Sequence, residues 1–221
     1  MRILVVGSGG REHALLWKLA QHPDAALYVA PGNIGMVDVA TQVNIAVDDI
    51  DTLVDFAREE KMDLTVVGPE LPLTMGIVDA FQKAGLPCFG PGKAAARLEG
   101  SKAFSKELMK KYHIPTAAFG TFEKVEGACA FVDKIGAPCV VKADGLAAGK
   151  GVIICKTKDE AYEAVREMLT AHRFGNAGAQ IVIEEFLEGQ EVSVLAFADG
   201  THVRPMATST APPSCRRRPC P

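Results

Sequence analysis

The chain reads as an α/β protein with a parallel sheet in its N-terminal part, followed by a segment of different rhythm. Three observations carry this. Short apolar runs (RILVV, ALYVA, LTVVG, LPCFG) alternate with helix-period segments over the first hundred residues. That βαβ cadence requires a parallel sheet covered on both faces. After FGPGKAAARLEG the rhythm changes, and two strands flank a glycine-rich loop.

Taken in order, RILVV is a buried strand and REHALLWKLAQHP a helix, with Leu15, Leu16 and Leu19 on its inner side and Pro23 closing it. ALYVA is the second strand and ends in PGN. DIDTLVDFAREEKMD is an amphipathic helix with Asp51 as its N-cap, leading into LTVVG. LTMGIVDAFQKAG is one helix stopped by Gly85, and LPCFG is a strand. A domain boundary falls near residues 90 to 101. Beyond it, SKAFSKELMKKYHIP is a helix that stacks Phe104, Leu108 and Tyr112 and stops at Pro115. A helix near EGACAFVDKIG, the strands CVVKA and GVIIC, and a helix capped by Thr157 with Glu160 follow. QIVIEEFL and EVSVLAFADG are strands, and THVRPM pairs with the latter across Asp199-Gly200.

The 221 residues are 48% hydrophobic and 23% charged with a net charge of −3, an ordinary composition without the basic excess of a nucleic-acid binder. No apolar run approaches the roughly 18 residues that span a bilayer, and MRILVVGSGGREH lacks the form of a signal peptide. Cys88, Cys129, Cys139 and Cys155 show no paired spacing and read as reduced, buried thiols, so the expected compartment is the cytoplasm. From residue 207 to 221 Pro, Ser and Arg dominate, and disorder is expected. Arg216, Arg217 and Arg218 are then a solvated tail, and Cys215 and Cys220 lack companions for a metal site.

Two glycine loops suggest anion binding. GSGGREH lies where a strand becomes a helix, and free backbone N–H groups there attract phosphate. It is not a dinucleotide fingerprint: position 12 is glutamate instead of glycine, and the second strand ends in PGN without an acidic residue. Gly9 and Gly10 either approach a small phosphorylated ligand or serve a tight turn only. PGN, with Asn33, and GPELPL, with Glu70, leave strands at the same sheet edge. Glu70 either binds an amine or hydroxyl or is a solvated loop carboxylate.

The second loop, in VVKADGLAAGKGVII, is no Walker A loop. Three residues separate Gly145 from Gly149 instead of four, Gly151 stands where Ser or Thr should, and strands flank it on both sides. It is a hairpin tip able to fold over nucleotide phosphates as a lid. Lys142 on the strand before it either points at those phosphates or snorkels from an edge. In IVIEEFLEGQEVSV, Phe186 and Leu187 suit an adenine pocket and Glu191 a ribose.

The order helix lysine, strand lysine, glycine hairpin, EEFL, GxE resembles the ATP-grasp superfamily. With VVGSGGREHAL, APGN, VVGPELPL, GPGKAAARLEGSKAF and VKADGLAAGKGV it is similar to the phosphoribosylamine–glycine ligase (glycinamide ribonucleotide synthetase) family of purine synthesis, over residues 1 to about 206. The resemblance implies a Rossmann-like pre-ATP-grasp domain at 1–100, the first part of an ATP-grasp domain with its lid at 101–206, and a non-family tail at 207–221. It also implies an ATP-dependent joining of glycine to 5-phosphoribosylamine through an acyl phosphate. By motif, Lys102 and Lys142 contact ATP phosphates, and Gly145, Leu146, Ala147, Ala148, Gly149, Lys150 and Gly151 form the lid. Glu184 and Leu187 meet the adenine through backbone atoms, Phe186 helps to sandwich it, Glu185 belongs to the same ATP-binding set, and Glu191 meets the ribose. Gly9, Gly10, Asn33 and Glu70 take phosphoribosylamine. Family members run to about twice this length. Their ligands for Mg²⁺ or Mn²⁺ lie in segments expected beyond residue 206, so no metal ligand is assigned here and the chain alone is expected to show negligible ligase activity. The alternatives are another ATP-grasp ligase, such as a carboxylase of the purine or biotin type, and a catalytically dead nucleotide-binding fragment.

Overall fold

The computed structural model describes residues 1–146, 151–170 and 179–210. They fall into two units, Met1–Glu185 and the residues from Phe186 onward, each taken by itself. The lid residues Ala147, Ala148, Gly149 and Lys150, and the tail from 211 to 221, lie outside the described residues.

In the first unit, RILVV becomes β1 (Arg2–Gly7) and ALYVA becomes β2 (Ala26–Pro31), with α1 (Gly10–Leu19) between them. Then come β3 (Thr41–Gln42), α2 (Ile50–Glu59), β4 (Leu64–Val67), α3 (Glu70–Met75), α4 (Ile77–Lys83) and β5 (Cys88–Phe89). The sheet runs β3-β2-β1-β4-β5 and every pairing is parallel. Side chains of a strand alternate between faces, so β1 feeds two cores. Leu4 and Val6 pack with Leu53, Ile77 and Phe81 on one face. Ile3 and Val5 pack with Leu16 and Met36 on the other.

The same unit continues with α5 (Lys93–Gly100) and α6 (Lys102–Lys111), then a second sheet. Its strands are β6 (Phe119–Phe122), β7 (Cys139–Ala143), β8 (Val152–Cys155) and β9 (Ile181–Glu185), ordered β6-β9-β7-β8 and antiparallel throughout. Helices α7 (Val125–Ile135) and α8 (Lys158–Thr170) cover one face, where Val141, Ala143, Ile181 and Ile183 are buried. Period two then places Lys142 and Glu184 on the opposite face. In register, Glu184 opposes Val140, so Lys142 is its diagonal neighbour.

Several local expectations are corrected. In α1 the inward positions are Glu12, Leu16 and Leu19, while Leu15 is 41% exposed; adjacent residues diverge by about 100° on a helix. The cap of α2 is Asp49, which accepts the Thr52 N–H at 3.3 Å, and Asp51 sits in the first turn. The single helix expected before Gly85 is two, parted at Gly76, whose φ of +103° no ordinary side chain tolerates well. In α6 the buried positions are Ala103 and Lys106, and Tyr112 is 60% exposed. Helix α5 and strand β6 lie in stretches from which no element was expected.

In the second unit, β10 (Ala196–Ala198) and β11 (Val203–Pro205) form the expected hairpin. The Asp199 carboxylate accepts the N–H groups of Thr201 at 2.8 Å and His202 at 2.6 Å, which fixes the turn. Ser209 exchanges two backbone hydrogen bonds with Ser193, at 2.8 and 3.0 Å. The backbone at 209 is therefore paired, although disorder was expected from 207. Val194, Leu195, Phe197 and Val203 are all more than half exposed. Among the described residues no helix is long and apolar enough to cross a membrane.

Candidate functional site

The three loops at the carboxyl ends of β1, β2 and β4 are tied to one another. Asn33 donates from Nδ2 to the Ser8 carbonyl at 2.7 Å and accepts the Gly35 N–H at 2.7 Å. Arg11, in the first turn of α1, pairs with Glu70 at 2.8 Å. Burial pushes the Glu70 carboxyl up, but a backbone hydrogen bond and the Arg11 guanidinium outweigh it and hold the group below its ordinary value. Glu70 is thus ion-paired and not simply solvated.

Glu12 explains the glycines of the first loop. Its carboxylate turns back and accepts the Gly9 N–H at 2.7 Å, the N3-to-cap half of a capping box. A Cβ at Gly68 would stand 2.2 Å from Glu12 Oε1, and one at Gly7 would stand 2.5 Å from Glu12 Cγ. The glutamate therefore fills the space that a third glycine would leave open in a dinucleotide loop. Gly9 spends its N–H on Glu12, whereas Gly10 faces open space.

An open cleft of about 900 Å³ runs from these loops to the second sheet, within the first unit. Arg11 and Glu70 line one end. Lys102 and Lys106 from α6, Lys142 from β7, Glu184 from β9, and Leu146 and Gly151 at the two ends of the glycine loop line the other. Four cations (Arg11, Lys102, Lys106, Lys142) face three carboxylates (Glu70, Glu99, Glu184) among the described lining residues, so the cleft has an excess of positive charge.

Why the lysines converge follows from local structure. Lys102 and Lys106 are one helical turn apart and share a face. Asp144, the residue after β7, caps that helix: its carboxylate accepts the Ala103 N–H at 2.6 Å and the Ser101 hydroxyl at 3.0 and 3.2 Å. Lys102 Nζ in turn donates to the carbonyls of Asp144 at 3.2 Å and Gly145 at 3.1 Å. Burial lowers the pKa of Lys102, against the opposing pull of Asp144. Glu184 Oε1 lies 2.9 Å from Lys142 Nζ and Oε2 lies 3.0 Å from Lys106 Nζ. So the carboxylate of Glu184 belongs to the cleft, beyond the backbone role that its motif implies. The Glu185 carboxylate instead accepts the Ala118 N–H at 2.8 Å and fixes the edge of β6. Phe186, Leu187 and Glu191 belong to the second unit, where Phe186 is 37% and Leu187 65% exposed.

Arg11, Lys106 and Asp144 were missed from sequence. The i, i+4 spacing of Lys102 and Lys106 is a readable signal, and Asp144 lies within VVKADGLAAGKGVII. Among the described residues, no group of three or more His, Cys, Asp or Glu side chains converges to hold a metal ion. The described residues therefore do not fit a Mg²⁺ or Mn²⁺ site.

A parallel-sheet domain with glycine loops at its carboxyl edge, joined to an antiparallel sheet whose Lys142 meets the helix lysines Lys102 and Lys106 in one cleft, defines an ATP-grasp protein. The models of two families match the chain: phosphoribosylglycinamide synthetase, N domain, over residues 1–99, and phosphoribosylglycinamide synthetase, ATP-grasp (A) domain, over residues 100–212. The chain belongs to the phosphoribosylglycinamide synthetase family. It is 57% identical over 212 residues to a phosphoribosylamine–glycine ligase of Vibrio vulnificus, covering 95% of this chain and 49% of that one. The corresponding ligase of Allochromatium vinosum is also 57% identical, with 95% and 50% covered. The chain thus spans about half the length of the curated relatives it matches. A solved phosphoribosylamine–glycine ligase from Thermotoga maritima superposes with a TM-score of 0.77 at 32% identity, over 94% of this chain and 49% of that one. The biotin carboxylase domain of a Hydrogenobacter thermophilus 2-oxoglutarate carboxylase has a TM-score of 0.74 at 20% identity, with 94% and 49% covered, and shares the fold.

Proposed function

We propose that the cleft binds the phosphates of ATP, and that the chain supplies the ATP-lysine and ribosylamine-phosphate portion of a phosphoribosylamine–glycine ligase. The observation that carries this reading is the convergence of Lys102, Lys142 and the ends of the glycine loop on one cleft with Arg11 and Glu70. In the reaction, a glycine carboxylate oxygen attacks the γ-phosphorus and ADP leaves. The amine of 5-phosphoribosylamine then displaces phosphate from the acyl phosphate. Both steps move negative charge that fixed ammonium groups can offset, so positioning and charge dominate the chemistry. Lys142 and Lys102 are the groups assigned to the phosphates. Gly10, at the free start of α1, together with Gly9 and Asn33, is assigned to the ribose-phosphate end, and Glu70 to its amine or a hydroxyl. The lid role of residues 145 to 151, the adenine roles of Glu184, Phe186 and Leu187, the ATP-binding role of Glu185 and the ribose role of Glu191 rest on the motif. Four free thiols among the described residues, two of them fully buried, suit a reducing compartment, which supports the cytoplasm as the location.

Calorimetric titration of the 221-residue chain with a non-hydrolysable ATP analogue tests the reading. Saturable binding that disappears in Lys142→Ala is the expected result. Binding that survives Lys142→Ala and Lys102→Ala together would overturn it.

A further inference from the structure

Four polar or charged side chains are buried among the described residues: Glu12, Thr65, Lys106 and Glu184. Two of these are partners, Lys106 Nζ and Glu184 Oε2 at 3.0 Å. Lys106 is fully engaged on its own side. It donates to Thr116 Oγ1 at 2.7 Å and lies 5.6 Å from the centroid of the Phe119 ring. Lys142 takes the other oxygen of Glu184 at 2.9 Å, and its side chain is 25% exposed against 11% for Lys106. The three groups form a cation–carboxylate–cation array with one positive charge in excess, and its more accessible cation is Lys142.

A simple neutral pair would not need both lysines. With Lys142 alone, Glu184 would hold the only ammonium of the array, and an incoming phosphate would have to compete with a buried carboxylate for it. With Lys106 in place, one carboxylate is shared between two cations and its pull on each is divided. We propose that Lys106 is a positioning residue: by occupying Glu184 it leaves Lys142 available, as net charge, to an anionic phosphate group entering the cleft. This rests on the phosphate reading of the cleft given above.

The test compares Lys106→Met, Lys106→Arg and Glu184→Gln in the 221-residue chain. Trace acylation with acetic anhydride at one mildly alkaline pH, without nucleotide, is read per lysine by mass spectrometry. An amine reacts only when it is free and uncharged, so Lys142 should label more slowly in Lys106→Met, faster in Glu184→Gln, and at the parent rate in Lys106→Arg. Affinity for the ATP analogue should fall roughly tenfold in Lys106→Met, within the range for charges sharing one network, and return in Lys106→Arg. A merely structural Lys106 gives the opposite sign, because loosening the site exposes Lys142 and speeds its labelling. Faster or unchanged Lys142 labelling in Lys106→Met overturns the inference. If Lys106→Met does not fold, Glu184→Gln decides, and unchanged Lys142 labelling there also overturns it. Failure of the parent chain to bind the analogue defeats the functional reading and leaves the labelling pattern standing as its own result.

Discussion

The Asp144 carboxylate accepts the Ala103 N–H at 2.6 Å, so the residue that opens the glycine loop also caps the helix carrying Lys102 and Lys106. The two halves of the lysine-lined end of the cleft are therefore set by one side chain. Ser101 adds its own cap to the Phe104 N–H at 3.1 Å, and the Ser101 hydroxyl is anchored by the same carboxylate. Asp144→Ala removes a charge-assisted cap and leaves Ala103 N–H without a partner, which costs about 1–2 kcal/mol. Urea unfolding should show a lower midpoint with an unchanged slope. A midpoint equal to that of the parent chain would show that the cap carries no stability.

What was legible in the sequence were features fixed by local pattern. The strands β1, β2 and β4 are apolar runs that have no other use, and the hairpin of β7 and β8 follows from two such runs around a glycine-rich turn. Lys102 and Lys142 were read from their order along the chain. Lys106 was not, because its burial depends on Glu184, Thr116 and Phe119, which meet it only in the folded chain. Apolar periodicity pointed to Phe104, Leu108 and Tyr112 as the inner face of α6. Ala103 and Lys106 are the buried positions instead, Lys106 paired with Glu184. Glu12 was recognised as the wrong residue for a dinucleotide loop, but its role as a buried space-filler against Gly7 and Gly68 requires β1 and β4 to be adjacent.

Lys102 sets a pH window. Burial disfavours its charged form in the folded chain, so its pKa lies below the ordinary 10.5. Below that lowered value the folded chain carries the full burial penalty of the ammonium. As pH rises from the lowered value towards 10.5 the folded chain gives up the proton more readily than the unfolded one, and the penalty is relieved. Stability relative to Lys102→Met should therefore rise with pH across that interval. Denaturant midpoints of the two chains at several alkaline pH values test this; a difference that stays flat or falls refutes it.

Cys139 and Cys155 face each other across β7 and β8 and are fully buried. Burial, with help from Cys139 and Glu160, pushes the Cys155 thiol up to about 11, and burial raises the Cys139 thiol too. The reactive species is the thiolate. Both residues should resist iodoacetamide at neutral pH in the native chain and label at the rate of global unfolding. Peptide mapping after timed alkylation in increasing urea measures this. Labelling of either at the rate of an exposed thiol without denaturant would rule out the packing described.

Gly68 and Glu12 make a coupled pair whose energetics can be separated. A methyl group at 68 would meet Glu12 Oε1 at 2.2 Å, and the residue cannot retreat because its N–H bonds the Val6 carbonyl at 3.0 Å in continuation of the sheet. Gly68→Ala should therefore destabilise the chain by about 1–3 kcal/mol through overpacking. Glu12→Ala should cost about 1–3 kcal/mol by leaving the Gly9 N–H unpaired and opening a hole beside Gly7. In the double variant the clash has no second partner and the new methyl occupies part of that hole. The combined cost should fall short of the sum of the single costs by at least about 0.5 kcal/mol, as expected for residues in contact. Three denaturation curves against the parent chain close this cycle. Strict additivity would mean that the glutamate does not fill the space between Gly7 and Gly68.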